Sequence, residues 1–305
     1  MNYQRAAVIG TGMMGPGIAL TLAMGGVPAV IVSRSDASGQ RGLDTARAQL
    51  TLLREHGLLS GEPAEIRTST DFEAEIAASD IVIESAPESM AFKQELFATM
   101  DRIAKPECVL ASNTSGLSIT AIASGCAKRD RILTTHFWNP PHLMPLVEIV
   151  LGKETDPAIA REVKELLARC GKTPVIVKRD TPGQLGNRLQ MALVREAAHI
   201  VAEGIADVED VDLAARTGFG LRLPQYGILE HQDVVGLDMG LAITDYVAQD
   251  LNSQPNAPEY YRALVNAGKL GAKTGQGFYA WPEGKLEEVK ARRDGFILQM
   301  RKWSL

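Results

Sequence analysis

The chain has 305 residues, of which 45% are hydrophobic and 23% charged, the composition of a globular protein large enough for two domains. Its net charge of −5 argues against a nucleic-acid partner, and no uncharged apolar run is long enough to span a membrane. The three cysteines, Cys108, Cys126 and Cys170, are too widely spaced for a metal motif, so we expect buried reduced thiols and no metal. Because the chain begins with a predicted strand rather than an export signal, we expect a cytoplasmic protein without a membrane partner.

The first predicted elements surround a glycine-rich loop. An apolar strand at residues 6–9 leads into Gly-Thr-Gly-Met-Met-Gly at residues 10–15, and a small apolar helix follows at residues 18–24. A second strand at residues 28–32 completes a strand–helix–strand unit. A GxGxxG motif alone is a weak signal that an ordinary glycine-rich turn also produces, but in this context it predicts the binding of a nicotinamide or flavin dinucleotide.

Each glycine of this loop has a separate task in dinucleotide binding. Gly10 permits the tight turn, Gly12 lets the backbone approach a pyrophosphate, and Gly15 lets the helix pack close to the strand. Free N–H groups at the N-terminus of the helix attract the phosphates. Met13 and Met14 lie between these glycines, and we count them with the cofactor-binding loop.

The residues after the second strand bear on the choice of cofactor. In NAD-binding loops a carboxylate normally accepts hydrogen bonds there from the adenosine ribose. This chain has Ser33 at that place, followed by Arg34. A 2′-phosphate would meet no carboxylate there, and Arg34 with the neighbouring hydroxyls could bind it. The loop therefore favours NADP over NAD, although Arg34 could instead stack on the adenine while NAD binds.

Strands and helices go on alternating to about residue 178. Further helices are predicted at residues 38–55, 72–78, 90–103 and 156–170, and further strands at residues 66–68, 80–84, 108–112, 132–137, 147–150 and 175–178. Alternation at this length predicts an α/β Rossmann fold with a doubly wound, mostly parallel sheet.

The sequence Asp-Thr-Pro-Gly at residues 180–183 is the clearest break in the chain. Beyond it the pattern is helical, with helices predicted at residues 185–203, 208–216, 239–251 and 259–266. We therefore predict a dinucleotide-binding Rossmann domain at residues 1–181 and an all-helical C-terminal domain at residues 182–305.

Four residues form a candidate catalytic group. Ser115 and His136 come at or just after the ends of predicted parallel strands, where α/β proteins bind their ligands. Histidine suits the role of general base because it ionises near neutral pH. Glu148, twelve residues on, could fold back to hold one imidazole nitrogen and raise the basicity of the other. Taken singly, His136 is more often a structural histidine and Glu148 a solvated charge; Asn187 joins the group through the resemblance that follows.

Several segments in order along the chain resemble the 3-hydroxyacyl-CoA dehydrogenase family. They are residues 10–17, Glu88 with Lys93, residues 112–115, residues 136–140, residues 180–183 with Asn187 and Arg188, and residues 271–279. Together they span nearly the whole chain and are specific as a set.

The resemblance implies roles for the four candidate residues. His136 abstracts the substrate hydroxyl proton while a hydride passes to the nicotinamide, and Glu148 is the partner of that histidine. Ser115 and Asn187 hydrogen-bond the substrate oxygen and hold it in line.

The same resemblance implies more about cofactor and assembly. Glu88 and Lys93 match contacts to the nicotinamide ribose side of the cofactor, and NAD is the usual cofactor of the family. The resemblance also implies that the helical domain contacts substrate and that the protein forms a homodimer through it.

The segment after His136 departs from the CoA-using members of the family. Residues 139–148 read Asn-Pro-Pro-His-Leu-Met-Pro-Leu-Val-Glu, whereas those members usually carry Asn-Pro-Val-Pro-x-Met-Lys-Leu-Val-Glu. The form found here is similar to branches that oxidise free hydroxy acids, such as gulonate dehydrogenase with its lens-crystallin relative, and pyridine-carboxylate dehydrogenase. Trp138 and His142 could line a pocket for a carboxylate or an aromatic ring, although His142 is equally an exposed loop histidine.

Two further departures make CoA doubtful. In the helical domain, Arg222 lies where CoA-using members tend to carry Pro-Met-Gly-Pro; it could clamp a substrate carboxylate or be a surface arginine. Residues 38–64 lack a run of lysines that could neutralise the CoA phosphates, since Arg41, Arg47 and Arg54 are interspersed with acidic and apolar residues.

The sequence thus predicts an NAD(P)-dependent oxidoreductase. It would transfer a hydride between the nicotinamide and the secondary alcohol or ketone of a small 3-hydroxy acid. One alternative is a 3-hydroxyacyl-CoA dehydrogenase, and another is a non-catalytic dinucleotide-binding protein of the crystallin kind. The presence of all four candidate catalytic residues argues against the second, because cofactor binding alone would not need them.

Overall fold

The structure, a computed structural model, describes residues 3–59 and 61–303. The chain divides into two compact units, Met1–Arg188 and Leu189–Leu305.

A single sheet organises the first unit. Within the described residues it has eight strands: β1 (Ala6–Ile9), β2 (Ala29–Val32), β3 (Ile66–Ser69), β4 (Ile81–Glu84), β5 (Val109–Ser112), β6 (Ile132–Phe137), β7 (Leu146–Leu151) and β8 (Thr173–Val177). Their spatial order is β3-β2-β1-β4-β5-β6-β7-β8, and every neighbouring pair is parallel except β6 with β7. The order reverses at β1, as it does in doubly wound dinucleotide-binding folds.

Helices cover both faces of this sheet. They are α1 (Gly15–Met24), α2 (Asp36–Glu55), α3 (Phe72–Ala78), α4 (Met90–Ile103), α5 (Ile119–Ile122) and α6 (Pro157–Arg169). Alternate strand residues pack into two cores: one shares its residues with α1 and α6, the other with α3, α4 and α5. Burial on both faces explains why the strands are continuous apolar runs rather than alternating ones.

The strands β6 and β7 form the one antiparallel pair of the described sheet. A loop at residues 138–145 joins them, and the register places His136 directly opposite Glu148. Facing residues of an antiparallel pair have Cβ atoms about 4.5–5.5 Å apart, close enough for their side chains to interact. These two side chains meet because they face each other across this antiparallel hairpin.

The second unit is helical. Its elements are α7 (Gly186–Ala202), which begins in the first unit, α8 (Val208–Thr217), α9 (Phe219–Arg222), α10 (Ile228–Val235), α11 (Leu237–Val247), α12 (Glu259–Asn266) and α13 (Lys285–Met300). The expectation of a doubly wound, mostly parallel sheet followed by helices is confirmed. The sequence pattern does not predict α5, α9, α10 or α13. Among the described helices, none is both long and apolar enough to cross a membrane.

Candidate active site

The glycine loop after β1 has the shape that a dinucleotide requires. Gly10 has a φ of 115°, and a Cβ there would lie 2.5 Å from the carbonyl oxygen of Ser85. A Cβ on Gly15 would overlap the carbonyl oxygen of Gly10, whereas one on Gly12 would meet no atom within 4 Å. The space in front of Gly12 is therefore open to a ligand, and the N-terminus of α1 begins three residues further on.

The end of β2 presents hydroxyl groups and one cation. Ser33 donates a hydrogen bond through Oγ to the carbonyl of Ser35 (2.9 Å), and the Ser35 side chain caps α2 by accepting from the Ser38 N–H (3.3 Å). Arg34 is exposed, and Asp36 is the first residue of α2. The loop thus has no carboxylate at the strand end itself, but it has one three residues later.

A buried ion pair lies at the end of β4, where Glu84 is in register with Ile9 of β1. The Lys93 ammonium of α4 is 2.6 Å from Glu84 Oε1 at the end of β4, and both side chains are almost completely buried. Glu84 also accepts from the Ala86 N–H (2.6 Å) and the Ser112 hydroxyl (2.6 Å). The ammonium of Lys93 comes within 3.5 Å of the Glu88 carboxylate as well. Glu84 therefore joins β4, β5 and α4. It is not among the site residues predicted from the sequence.

The loop after β5 is held by Glu88. Its Oε1 accepts hydrogen bonds from the Thr114 hydroxyl and from the Ser115 N–H (3.1 Å). Ser115 is exposed, and its carbonyl accepts a hydrogen bond from Asn187 Nδ2 at 3.0 Å. The structure thus brings Ser115 and Asn187 together.

His136 and Glu148 make a direct pair. Nδ1 of His136 lies 2.8 Å from Glu148 Oε2, and Glu148 is fully buried. Within the described part of the chain no hydrogen bond involves Nε2 of His136. One ring nitrogen is thus bound to the carboxylate and the other is open to a ligand.

Glu148 is held in its ionised form by four donors. They are the imidazole of His136, the indole Nε1–H of Trp138 (3.0 Å), and the backbone N–H groups of Leu185 and Gly186 (2.8 Å each). Burial raises the pKa of this carboxyl, but the hydrogen bonds outweigh burial and lower the pKa to about 2. Since an ionised carboxylate only accepts, Nδ1 must carry a proton, and in the neutral imidazole the lone pair is then on Nε2.

Residues 184–187, which we call the anchor segment, connect both parts of the site. Besides the two N–H groups on Glu148 and the amide of Asn187 on Ser115, Gln184 Nε2 donates to the Thr114 carbonyl at 2.9 Å. Gly186 is needed there because a Cβ would lie 2.5 Å from the Trp138 ring. Asn187 is the one residue of the anchor segment that the sequence analysis predicts to be a site residue.

The three residues predicted to contact substrate lie in different surroundings. Trp138 is half-buried and bonded to Glu148, and its ring centroid lies 5.7 Å from that of His136. His142 is 8% exposed, with its backbone nitrogen close to Gly17 of α1, so it is not an exposed loop histidine. Arg222 is an exposed residue at the end of α9 in the second unit.

A glycine cradle on a doubly wound sheet and a carboxylate-bound histidine beyond it define a nicotinamide-dependent dehydrogenase. The family comparison is specific. Residues 5–181 match the NAD-binding domain of 3-hydroxyacyl-CoA dehydrogenase, and residues 183–281 match its C-terminal domain. The chain belongs to the 3-hydroxyacyl-CoA dehydrogenase family, whose members act on hydroxyl groups.

Two kinds of relative are similar over most of the chain. The 5-formyl-3-hydroxy-2-methylpyridine 4-carboxylate 5-dehydrogenase of Mesorhizobium japonicum is 30% identical over 97% of this chain and 96% of its own. A probable 3-hydroxybutyryl-CoA dehydrogenase of Deinococcus radiodurans is 37% identical over 90% of this chain and 99% of its own.

By TM-score, the pyridine-acid enzyme is more similar to this chain than a 3-hydroxybutyryl-CoA dehydrogenase is, although its sequence identity is lower. The crystal structure of the pyridine 4-carboxylic acid 5-dehydrogenase, described as an NAD+-dependent dismutase, superposes with a TM-score of 0.92 at 30% identity, covering 99% of this chain and 98% of its own. The (S)-3-hydroxybutyryl-CoA dehydrogenase of Ralstonia eutropha gives a TM-score of 0.75 at 32% identity, covering 92% of this chain and 100% of its own. The chain is thus more similar in structure to the enzyme for a free pyridine acid. These relatives also confirm the nicotinamide cofactor.

Proposed function

We propose that this protein oxidises the secondary alcohol of a small free 3-hydroxy acid, or reduces the matching ketone, with a nicotinamide cofactor. The observation that carries the proposal is the bond between His136 Nδ1 and an ionised, fully buried Glu148. The bond fixes the imidazole in the tautomer whose Nε2 can take up a proton.

The proposed reaction follows from these placements. The nicotinamide, when bound, supplies the acceptor or donor of the hydride. Nε2 of His136 takes the proton of the substrate hydroxyl, and Glu148 stabilises the imidazolium that forms. In ketone reduction the same nitrogen returns the proton.

Ser115 and Asn187 are proposed to hold the substrate oxygen. Ser115 is exposed, and Nδ2 of Asn187 donates to the Ser115 carbonyl, so the Asn187 side chain is tied to the backbone that carries the Ser115 hydroxyl. Holding the oxygen in line with the base makes the proton transfer an effectively unimolecular step and so lowers its barrier. Glu88 sets the loop that carries Ser115, and it stays a proposed contact of the nicotinamide ribose, as does Lys93.

Free acids are favoured over CoA thioesters by the charges of α2. Arg47 pairs with Asp44 (3.5 Å) and Arg54 with Glu62 (2.9 Å), so acidic neighbours already offset two of its three arginines. The structural likeness to the pyridine-acid enzyme supports the same substrate class. Trp138, His142 and Arg222 stay proposed substrate contacts.

Two rival functions differ in their support. Identity of 37% with a probable 3-hydroxybutyryl-CoA dehydrogenase favours a CoA thioester as the second candidate substrate. Nothing in the comparisons supports a non-catalytic, crystallin-like protein.

A substrate panel tests the proposal. Reduced-nicotinamide absorbance is followed with free 3-hydroxy acids, pyridine hydroxy acids and 3-hydroxybutyryl-CoA, each with NAD and with NADP. We expect kcat/KM to be highest for a free acid. A CoA thioester that exceeds every free acid by tenfold or more would establish the second candidate instead.

We also propose NADP as the preferred cofactor, a homodimer as the assembly and the cytoplasm as the location. Ser33 in place of a carboxylate supports the first, although Asp36 lies nearby. Exposed apolar side chains on α10 and α11 support the second, and the buried free thiols of the three cysteines suit a reducing compartment.

A further inference from the structure

Gln184 has two features that are unfavourable for folding. Its φ of 53° lies in the left-handed region, and among the described residues it is the one non-glycine residue with a positive φ. Its side chain is 4% exposed, and Oε1 has no hydrogen-bond partner among the described residues. Strain and an unpaired buried acceptor at one position are typical of a residue kept for function.

The amide orientation of Gln184 is determined by its partner. Because the Thr114 carbonyl can only accept, the atom 2.9 Å away must be Nε2, the donor. The backbone N–H of Gln184 donates to a different acceptor, the carbonyl of Thr181, at 3.0 Å. This bond closes the turn before α7. Side chain and backbone of Gln184 therefore fix the same turn from two sides.

The anchor segment touches both parts of the proposed catalytic machinery. Gln184 and Asn187 bind consecutive carbonyls, those of Thr114 and Ser115, while the N–H groups of Leu185 and Gly186 between them bind Glu148 Oε1. A shift of this segment would move the Ser115 loop and the carboxylate of the His136–Glu148 pair together.

We propose that Gln184 is a positioning residue for the dehydrogenase reaction, an inference that rests on the proposed function. Its side chain anchors the turn to the loop that carries Ser115. Its left-handed backbone directs the next two N–H groups onto Glu148. Gln184 itself need not touch substrate, so its loss should slow turnover more than it weakens binding.

Two substitutions remove the side-chain hydrogen bond, and they differ in size and in backbone preference. Gln184→Met removes the donor at similar size, and Gln184→Gly removes the side chain while adopting a positive φ without strain. The matched control is Gln190→Met, since Gln190 is an exposed glutamine on α7. We expect both Gln184 variants to lower kcat at least tenfold with KM changed less than threefold, and the control to stay within twofold of wild type.

A second readout needs no substrate. Hydrogen–deuterium exchange of the peptide at residues 181–189, measured by mass spectrometry, should be faster in both Gln184 variants and unchanged in the control. The Tm of both Gln184 variants should stay above the assay temperature, which separates positioning from loss of the fold. If both variants keep kcat within twofold of wild type, or exchange at the wild-type rate, the role of Gln184 is overturned.

The same experiment distinguishes this inference from the proposed function. A wild-type protein that turns over no member of the panel refutes the proposed function. The exchange measurement then decides alone whether the Gln184 side chain holds the anchor segment: faster exchange supports that placement, and unchanged exchange contradicts it.

Discussion

The two units differ in how they bury apolar surface. In the first unit, helices on both faces of the sheet enclose two hydrophobic cores. In the described part of the second unit, Ala198 and Leu298 are the buried hydrophobic residues, whereas large apolar side chains are exposed along α10 and α11. Leu229, for example, is 80% exposed. Exposed apolar surface of this kind supports the dimer proposed above, whereas the first unit has its own core.

The buried polar clusters described above all lie in the first unit. The first unit contains the Glu84–Lys93 pair, the His136–Glu148 pair and the anchor segment with all their partners. We therefore expect changes in the first unit to alter chemistry and stability, and changes in the second to alter assembly.

The largest stability effect is expected from Glu84→Gln. The substitution removes the nearer of two carboxylates from the buried Lys93 ammonium, and Glu88 at 3.5 Å is left as its only carboxylate among the described residues. The loss should cost about 3–5 kcal/mol of unfolding free energy. Its control is Glu259→Gln in the second unit, because the Glu259–Arg262 pair is exposed at 3.8 Å and should contribute about 0–1 kcal/mol. Urea unfolding measures both. Equal losses in the two variants would remove the contrast between the units.

Assembly should respond to a charge on α10. Leu229→Glu places a carboxylate in the proposed dimer surface, so light scattering should show half the wild-type mass. Phe92→Glu in the first unit is the control, since Phe92 is also an exposed apolar residue, at 46%, and should leave the mass unchanged. A wild-type protein that is already monomeric at micromolar concentration would contradict the proposed homodimer.

Cofactor preference should respond to one residue at the end of β2. Ser33→Asp adds the carboxylate that binds ribose hydroxyls and repels a 2′-phosphate, so the ratio of kcat/KM with NADP to that with NAD should fall at least tenfold, about 1.4 kcal/mol. Thr45→Asp adds the same charge on the exposed side of α2 and should change the ratio little. A wild-type preference of tenfold or more for NAD would refute the NADP proposal.

The smallest effect concerns stability in acid. Hydrogen bonds with Arg67 lower the pKa of Glu75, burial opposes them, and Arg5 adds a further bond; the result is a pKa of about 2. A lowered native pKa gives stability above the unfolded value of about 4.5 that is lost as pH falls towards 2. The difference in unfolding free energy between wild type and Glu75→Gln should therefore shrink from pH 5 to pH 2.

Glu288→Gln provides the comparison in the second unit. Glu288 lies 3.3 Å from Lys285 in an exposed pair, so its replacement should change stability little at any pH. If the effect of Glu75→Gln is the same at pH 5 and pH 2, its ion pairs do not contribute as described.

The sequence predicted what depends on local pattern. The glycine loop and the alternation of strand and helix are both encoded within short windows. The facing of His136 and Glu148 depends on an antiparallel register, which no local pattern shows. The burial of Lys93 depends on Glu84, nine residues earlier on another element.

Gln184 illustrates a different limit. A glutamine gives no sequence signal for a left-handed backbone, since glycine and asparagine are the residues that usually indicate one. Its position becomes informative only when Thr114, seventy residues earlier, is seen to accept its hydrogen bond. The α10 and α11 faces are likewise ordinary amphipathic patterns until their exposure is known.

The value of kcat/KM in wild type and His136→Gln tests most directly whether the first unit carries the chemistry. His199→Gln, which changes a half-buried histidine of α7, is the control and should stay close to wild type. His136→Gln should lower kcat/KM by about two to four orders of magnitude with the fold intact. A folded His136→Gln protein that keeps near-full turnover would contradict the assignment of His136 as the base.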